Sequence, residues 1–363
     1  MKTYTAAVIG LSQISQGRLP KPRSLPATDP MPRSHVSAYA AHPRVKLVGA
    51  CDLMPAALDK FNATWRDVHP ETRLYADYRE MLEKEKPDIV SVITPDDKHA
   101  DIVVNAANGG VKGIWCEKPI ATTLADADRM IEAVERNNTA MTVSHTRRWM
   151  PIFHKARELV RDKTYGELKI LTASMYYSRA MMFRNGTHIF DILCFLADAR
   201  PEWLIAELEE GFDGFDRYRG DGGNEISSEP SANAYIKFAN GVRANMMMLK
   251  SNYSTNVLEM VFENAVARLA GDGQILINRV DGPPATSTRG AISVTQAIGH
   301  EDWLADRELG VLTELVDALD HGTKPALSPP RAARQTLAVL LAILESHKKG
   351  NAKVMIDAGP SQA

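Results

Sequence analysis

Cysteine is scarce: the 363-residue chain has three, Cys51, Cys116 and Cys194, an odd and widely spaced set. That excludes a disulfide framework, and each lies in an apolar run, where a reduced thiol acts as a small packing group. The ten histidines show no clustering with cysteines or carboxylates, so no metal site is expected. Charge of one sign is equally lacking, with 43 Lys and Arg against 45 Asp and Glu and a formal net charge of -2. Binding to DNA or RNA draws on phosphate neutralisation by a basic face, so no nucleic-acid partner is expected. No run of about 18 uncharged apolar residues occurs, which speaks against a membrane-spanning helix. The first ten residues enter an apolar strand with no basic segment and cleavable hydrophobic stretch, so the expected location is the cytoplasm. What remains is an ordinary globular composition, 44% hydrophobic and 24% charged, in a chain long enough for two cores.

Short apolar runs alternate with helical segments through the first 149 residues. Thr5 to Gly10, Val45 to Asp52, Asp88 to Thr94, Gly113 to Cys116 and Met141 to Ser144 read as buried strands. Pro55 to Trp65, Tyr78 to Lys86, Lys98 to Gly109 and Thr123 to Asn137 read as the intervening helices. This order predicts a doubly wound parallel sheet, an α/β domain over 1–149. After Trp149 the character changes. A helix from Pro151 to Arg161 precedes strand-like segments at Leu168 to Tyr177, Ala232 to Phe238, Val242 to Met248, Val257 to Phe262 and Ala265 to Ile277. Asn-Gly and Gly-Asp-Gly turns join several of them, so an α+β domain with a mostly antiparallel sheet is expected over 150–363. Its helices, Glu308 to Asp320 and Pro330 to Ser346, are expected to pack on that sheet and on the first domain. The acidic, glycine-rich stretch from Gly211 to Gly223 reads as a mobile loop.

A strand ending in glycine before a loop and helix is the opening of a dinucleotide-binding unit. Here the pattern runs Gly10, Leu11, Ser12, Gln13, Ile14, Ser15, with serine at the second and third glycine places. Gly10, Ser12, Gln13 and Ile14 are therefore candidate cofactor contacts. Asp52 closes the second strand, where a carboxylate accepts ribose hydroxyls and repels a 2′-phosphate, favouring NAD over NADP. It lies 42 residues beyond Gly10 rather than the usual ~20. The excess is the stretch 17–34, which holds five prolines among several basic residues and reads as an inserted loop, either a lid or partner-binding arm or a tolerated surface insertion. Thr94 and Pro95, at the end of the third strand, are further cofactor candidates. His99 is another, with a structural role at a helix N-terminus as an equal reading.

Glu117, Lys118 and Pro119 follow the fourth predicted strand, at the edge where open α/β sheets bind ligands. The segments TPDDKHAD (94–101), WCEKPIATTLADA (115–127), HTRRWMP (145–151) and GTHIFD (186–191) resemble the Gfo/Idh/MocA family of oxidoreductases. The resemblance implies an N-terminal Rossmann domain and a C-terminal domain with a large open antiparallel sheet through which homo-oligomers form. It further implies that Lys118 lies near nicotinamide and substrate, that His188 and Asp191 complete the catalytic set, and that Pro119 takes a cis bond. Oxidising an alcohol needs a proton acceptor and a cation near the developing alkoxide. His188 is assigned the proton, Asp191 its orientation or a substrate hydroxyl, and Lys118 the electrostatic anchor, with Glu117 bracing the lysine loop and counted among the cofactor contacts with Lys118. Many family members carry a histidine four residues after the aspartate; that position here is Phe195. Arg148, Trp149, Tyr176, Arg179, Arg184 and Asn185 are candidate substrate contacts, with hinge or core packing as the alternative for Arg148 and Trp149. The expected activity is NAD(P)-dependent hydride transfer between a secondary hydroxyl of a sugar, polyol or glycoside and nicotinamide. The alternatives are redox-assisted glycoside cleavage with recycled NAD, and a non-catalytic NAD-sensing protein.

Overall fold

The computed structural model describes residues 2–17, 32–221, 225–269, 273–281, 292–299, 307–357 and 359. The chain forms two compact units. One comprises Met1–Trp149, Arg219–Gly223 and Asp306–Arg334, the other Met150–Tyr218, Asn224–Ala305 and Gln335–Ala363. Two later segments thus group with the N-terminal unit, where the sequence suggested a single division after Trp149.

The first unit is built from β1 (Tyr4–Ile9), α1 (Gln13–Gln16), α2 (His35–Ala41), β2 (Val45–Cys51), α3 (Pro55–Trp65), β3 (Arg73–Tyr75), α4 (Tyr78–Glu85), β4 (Ile89–Val92), α5 (His99–Asn108), β5 (Gly113–Cys116), α6 (Leu124–Arg136) and β6 (Ala140–Val143). Its six strands lie in the order β3-β2-β1-β4-β5-β6, every pair parallel. β4, β5 and β6 are buried at every position, the signature of strands covered on both faces, and this is why they read as continuous apolar runs. The order reverses between β1 and β4, which places a crevice beyond the carboxyl ends of those strands. Two elements were not anticipated. β3 is three residues long and begins on the exposed Arg73, so it offers no apolar run. The helix after the glycine turn is broken in two, a four-residue α1 and a seven-residue α2 capped by Ser34, whose hydroxyl also donates to the Gly17 carbonyl at 2.8 Å. The two ends of the inserted stretch are tied together by that bond. Residues 18–31, which carry most of the predicted lid or arm, lie outside the described residues.

The second unit contains α7 (Pro151–Arg161), β7 (Leu168–Tyr176), a π-helical turn (Met182–Gly186), α8 (Thr187–Ala197), β8 (Pro201–Leu208), β9 (Ala232–Phe238), β10 (Arg243–Leu249), β11 (Thr255–Phe262), β12 (Ala265–Leu269), β13 (Gln274–Asp281) and β14 (Ile292–Gly299). α9 (Glu308–His321) belongs to the first unit, α10 (Pro330–Lys348) runs from the first unit into the second, and β15 (Val354–Met355) completes the second sheet. Nine strands form that sheet in the order β14-β13-β12-β11-β7-β10-β9-β8-β15, antiparallel except for β7 against β10. The mostly antiparallel expectation holds, but the single run from Ala265 to Ile277 is two strands, and β8, β14 and β15 were not foreseen. β8 escaped because Glu202 and Glu207 interrupt its apolar residues. The stretch from Gly211 onward is not simply a loose loop. Tyr218 is buried and stacks on Phe183, with ring centroids 4.0 Å apart and planes 5° from parallel. In the first unit the Gly220 carbonyl accepts the Asp97 N–H at 3.2 Å.

Candidate functional site

Gly10 ends β1 with φ +91°, and a Cβ there would come within 2.6 Å of the Ile93 carbonyl oxygen. The first glycine of the pattern is therefore dictated by the close approach of the β1 and β4 ends. We expect Gly10→Ala to destabilise the fold by about 1–3 kcal/mol, read as a lower midpoint in urea unfolding; an unchanged midpoint would contradict this packing. Asp52 stands where predicted, at the end of β2. Its Oδ2 accepts the Leu11 N–H at 2.7 Å and its Oδ1 the Met54 N–H at 2.8 Å, so the carboxylate pins the glycine turn while each oxygen keeps a second lone pair. Ser12 is exposed, and its carbonyl accepts from the Ser15 and Gln16 N–H groups and the Ser15 hydroxyl, which closes α1 on itself. Ile14 is also exposed, at 42%. Gln13 lies within α1.

Thr94 and Pro95 form the turn after β4, and His99 beside them is fully buried. Its Nε2 faces the Thr94 carbonyl at 3.1 Å and its Nδ1 the Pro119 carbonyl at 3.1 Å. Burial opposes charge on this ring, but the Cys116 sulfur, Asp96 at 3.8 Å and the Thr94 carbonyl raise its pKa to about 10. An imidazolium donating from both nitrogens locks the 94–95 turn to the one after β5, so His99 holds cofactor-edge loops together rather than presenting a free face.

That second turn carries Glu117, Lys118 and Pro119, and the Lys118–Pro119 peptide is cis. Glu117 is buried. Burial alone would raise its pKa, yet the His35 hydrogen bond at 3.0 Å, the Lys118 charge and the Ser144 hydroxyl bring it down to about 2. The carboxylate is thus ionised across the neutral range, and its Oε2 lies 3.3 Å from the Lys118 N–H. Lys118 itself is half-buried at the carboxyl edge of β5. Arg148 and Trp149 are spent on the core of the first unit. Arg148 Nη1 donates to the Leu327 carbonyl at 2.8 Å, and Trp149 Nε1 donates to Glu314 at 3.0 Å with its ring against Gly310. These contacts are those of the packing alternative.

In the second unit every residue of α8 is buried except His188. Asp191, one turn on, is fully buried and accepts the Thr336 hydroxyl at 3.0 Å, so the helical spacing expected of the pair is present. Phe195, where the family resemblance would place a histidine, lies beneath the Arg157 guanidinium, 4.1 Å from the ring centroid. The π-helical turn before α8 widens the backbone at Met182–Gly186, and its first N–H groups, those of Phe183 and Arg184, are both accepted by buried Glu229. Nothing in the sequence singled out Glu229, because its partners lie about 45 residues away. Tyr176 ends β7 half-buried, Arg179 is exposed, and Arg184 and Asn185 are half-buried within the π turn. Asn185 Oδ1 is a buried acceptor with no hydrogen-bond partner among the described residues. His35, Tyr39, Ser91 and Glu229 are the polar groups that the sequence reading missed.

Among the described residues no group of three or more His, Cys, Asp and Glu is placed to hold a metal, and no helix is long and apolar enough to cross a membrane. The three cysteines are buried and none is in a disulfide.

A parallel sheet with this strand order, a glycine turn after β1 and a carboxylate closing β2 defines the first unit as a Rossmann-type nucleotide fold. Residues 30–145 match the model of the Gfo/Idh/MocA oxidoreductase family, NAD-binding Rossmann fold, so the resemblance read from the motifs is borne out over that segment. D-apiose dehydrogenase of Paraburkholderia graminis is 32% identical over 178 residues, 45% of this chain and 46% of that protein. Inositol 2-dehydrogenase of Salmonella paratyphi B is 26% identical over 170 residues, 45% of this chain and 48% of the relative. The chain thus matches about half the length of these curated relatives. Levoglucosan dehydrogenase, solved with NADH and L-sorbose, is 16% identical with a TM-score of 0.77 over 98% of this chain and 99% of that one, a likeness of fold that extends through both units.

Proposed function

We propose that this protein is an NAD-dependent oxidoreductase that moves hydride between a secondary hydroxyl carbon of a sugar, polyol or glycoside and nicotinamide. The observation that carries the reading is Lys118, held in a cis-proline turn at the carboxyl edge of β5, in the sheet whose first turn admits only Gly10 and whose second strand ends on Asp52. The residues fit the nucleotide: Asp52 keeps lone pairs for ribose hydroxyls and repels a 2′-phosphate, and Ser12 and Ile14 in the turn after β1 are exposed. Bound NAD supplies the hydride acceptor. Loss of the hydroxyl proton builds negative charge on the substrate oxygen, which the Lys118 ammonium stabilises until hydride leaves the carbon and the neutral carbonyl forms. His188, the one residue of α8 that is not buried, accepts the hydroxyl proton, and Asp191 with its Thr336 partner orients it. Asn185 offers its unpaired oxygen to a substrate hydroxyl, with Tyr176, Arg179 and Arg184 as further contacts. A polyhydroxylated substrate is supported by relatives named for apiose and inositol.

To test this, freshly purified protein is denatured and the supernatant assayed for nucleotide, and the native protein is run against a panel of cyclic polyols, aldoses and glycosides at 340 nm. NADH formation with at least one member supports dehydrogenation. Neither bound nucleotide nor turnover on any member would sink it.

We also propose that the open face of the nine-stranded sheet forms a homo-oligomer. Ile205, Met247 and Leu249 expose 40%, 45% and 56% of their surface there, an apolar stripe suited to a second copy. Met247→Glu is expected to shift the mass measured by light scattering toward the monomer; a monomeric wild type would refute the proposal.

A further inference from the structure

A buried chain of polar groups ends on Glu117, and none of the roles assigned above uses it. The Tyr39 hydroxyl lies 2.5 Å from Ser91 Oγ, Ser91 Oγ lies 2.9 Å from His35 Nδ1, and His35 Nε2 lies 3.0 Å from Glu117 Oε1. Relative exposures are 1% for Tyr39, 0% for Ser91, 0% for His35 and 8% for Glu117. The directions follow from the donor inventory. A carboxylate can only accept, so the hydrogen sits on Nε2. With the ring neutral, Nδ1 accepts from the Ser91 hydroxyl, and the Ser91 oxygen accepts from Tyr39. The His35 ring is also fixed in plane, stacked on Trp115 with centroids 3.6 Å apart and 24° between planes, while Trp115 Nε1 donates to Ser144 at 2.7 Å.

We infer that His35 is a positioning residue for Lys118: it holds the Glu117 carboxylate in one orientation against the lysine turn and so sets where the ammonium group stands. This rests on the reading of Lys118 given under Proposed function. The chain orients and does not conduct. A proton passed along it would have to leave through Tyr39, which is buried and whose hydroxyl burial pushes far above its ordinary range. The arrangement has a further consequence for the insertion. His35 is the first residue of α2, immediately after the Ser34 cap that is bonded to Gly17, so the point where the inserted stretch rejoins the fold is also the point that braces the lysine turn.

Two readouts test the inference. In protein labelled with 15N-histidine, with His35→Gln assigning the ring, long-range 1H–15N spectra report the tautomer whether or not the enzyme turns over. The Nε2–H form is expected, and an Nδ1–H form would overturn the chain. The second readout is kinetic, on whichever polyol the wild type oxidises with NAD. His35→Leu removes the donor to Glu117, and kcat is expected to fall about tenfold to a hundredfold with KM for NAD within about twofold. His35→Gln restores an amide N–H at similar reach and should recover most of the loss. A leucine variant with wild-type kcat, or a glutamine variant as slow as leucine, overturns the positioning role. Should the leucine variant not fold, Ser91→Ala, which deletes the donor to Nδ1, is read in the same way with an expected loss of about fivefold. A wild type that never reduces NAD defeats the Lys118 reading and leaves the tautomer as the test of the His35–Glu117 bond.

Discussion

Lys118→Ala is expected to lower kcat by about 10²–10³-fold while leaving the Kd for NAD within a few fold. The ammonium is assigned to the alkoxide charge that develops as the hydroxyl proton leaves, a charge absent from the bound alcohol and from NAD binding, so its removal should act on the transition state and spare the ground state. Glu117 makes the effect specific to charge and place. Its buried carboxylate, with its pKa held down to about 2, sits beside the lysine turn as a fixed negative charge. Lys118→Arg should therefore bind NAD and recover only part of the rate, because a planar guanidinium cannot occupy the point that an ammonium on a flexible stem reaches. Steady-state kinetics with both variants checks this. A Lys118→Ala enzyme with a raised KM and unchanged kcat would mean that the lysine only binds.

The second large effect is on cofactor choice. Asp52→Ser is expected to reduce the preference for NAD over NADP, measured as the ratio of kcat/KM values, by about tenfold to a hundredfold. That range corresponds to losing charge-assisted hydrogen bonds to the ribose and, with them, repulsion of the 2′-phosphate. A cost in stability should accompany it. Asp52 also receives the Leu11 and Met54 N–H groups, so the variant leaves two backbone donors of the glycine turn to find other acceptors. Unfolding in urea should show a loss of about 1–3 kcal/mol. An unchanged NAD to NADP ratio with the stability loss present would show that the carboxylate is purely structural.

The positions of these two residues were legible before any coordinates because each sits at a strand end, where local sequence declares the strand. The same holds for the parallel sheet: β4, β5 and β6 are buried on both faces and announce themselves as unbroken apolar runs. Where residues meet only through the fold, sequence falls short. His35 finds Glu117 across 82 positions and Glu229 finds the π turn across 45, and no spacing rule spans such distances. The first helix was lost because the insertion splits it into pieces too short to show a period. The packing partners of Trp149 and Arg148 were likewise out of reach of the sequence. Their place in a motif suggested substrate, but Trp149 is 6% exposed with its indole on Glu314, and Arg148 is bonded to the Leu327 carbonyl, partners about 165 and 179 residues away.

Calorimetric titration of the purified, nucleotide-stripped protein with NAD and with NADP tests the central claim most directly. Saturable binding of NAD, at least tenfold tighter than NADP and with that margin reduced in Asp52→Ser, is the predicted result, since a tenfold difference is about 1.4 kcal/mol and one lost ribose contact can remove it. No heat of binding with either nucleotide would contradict the account, because the glycine turn, Asp52 and the lysine turn would then have nothing to serve.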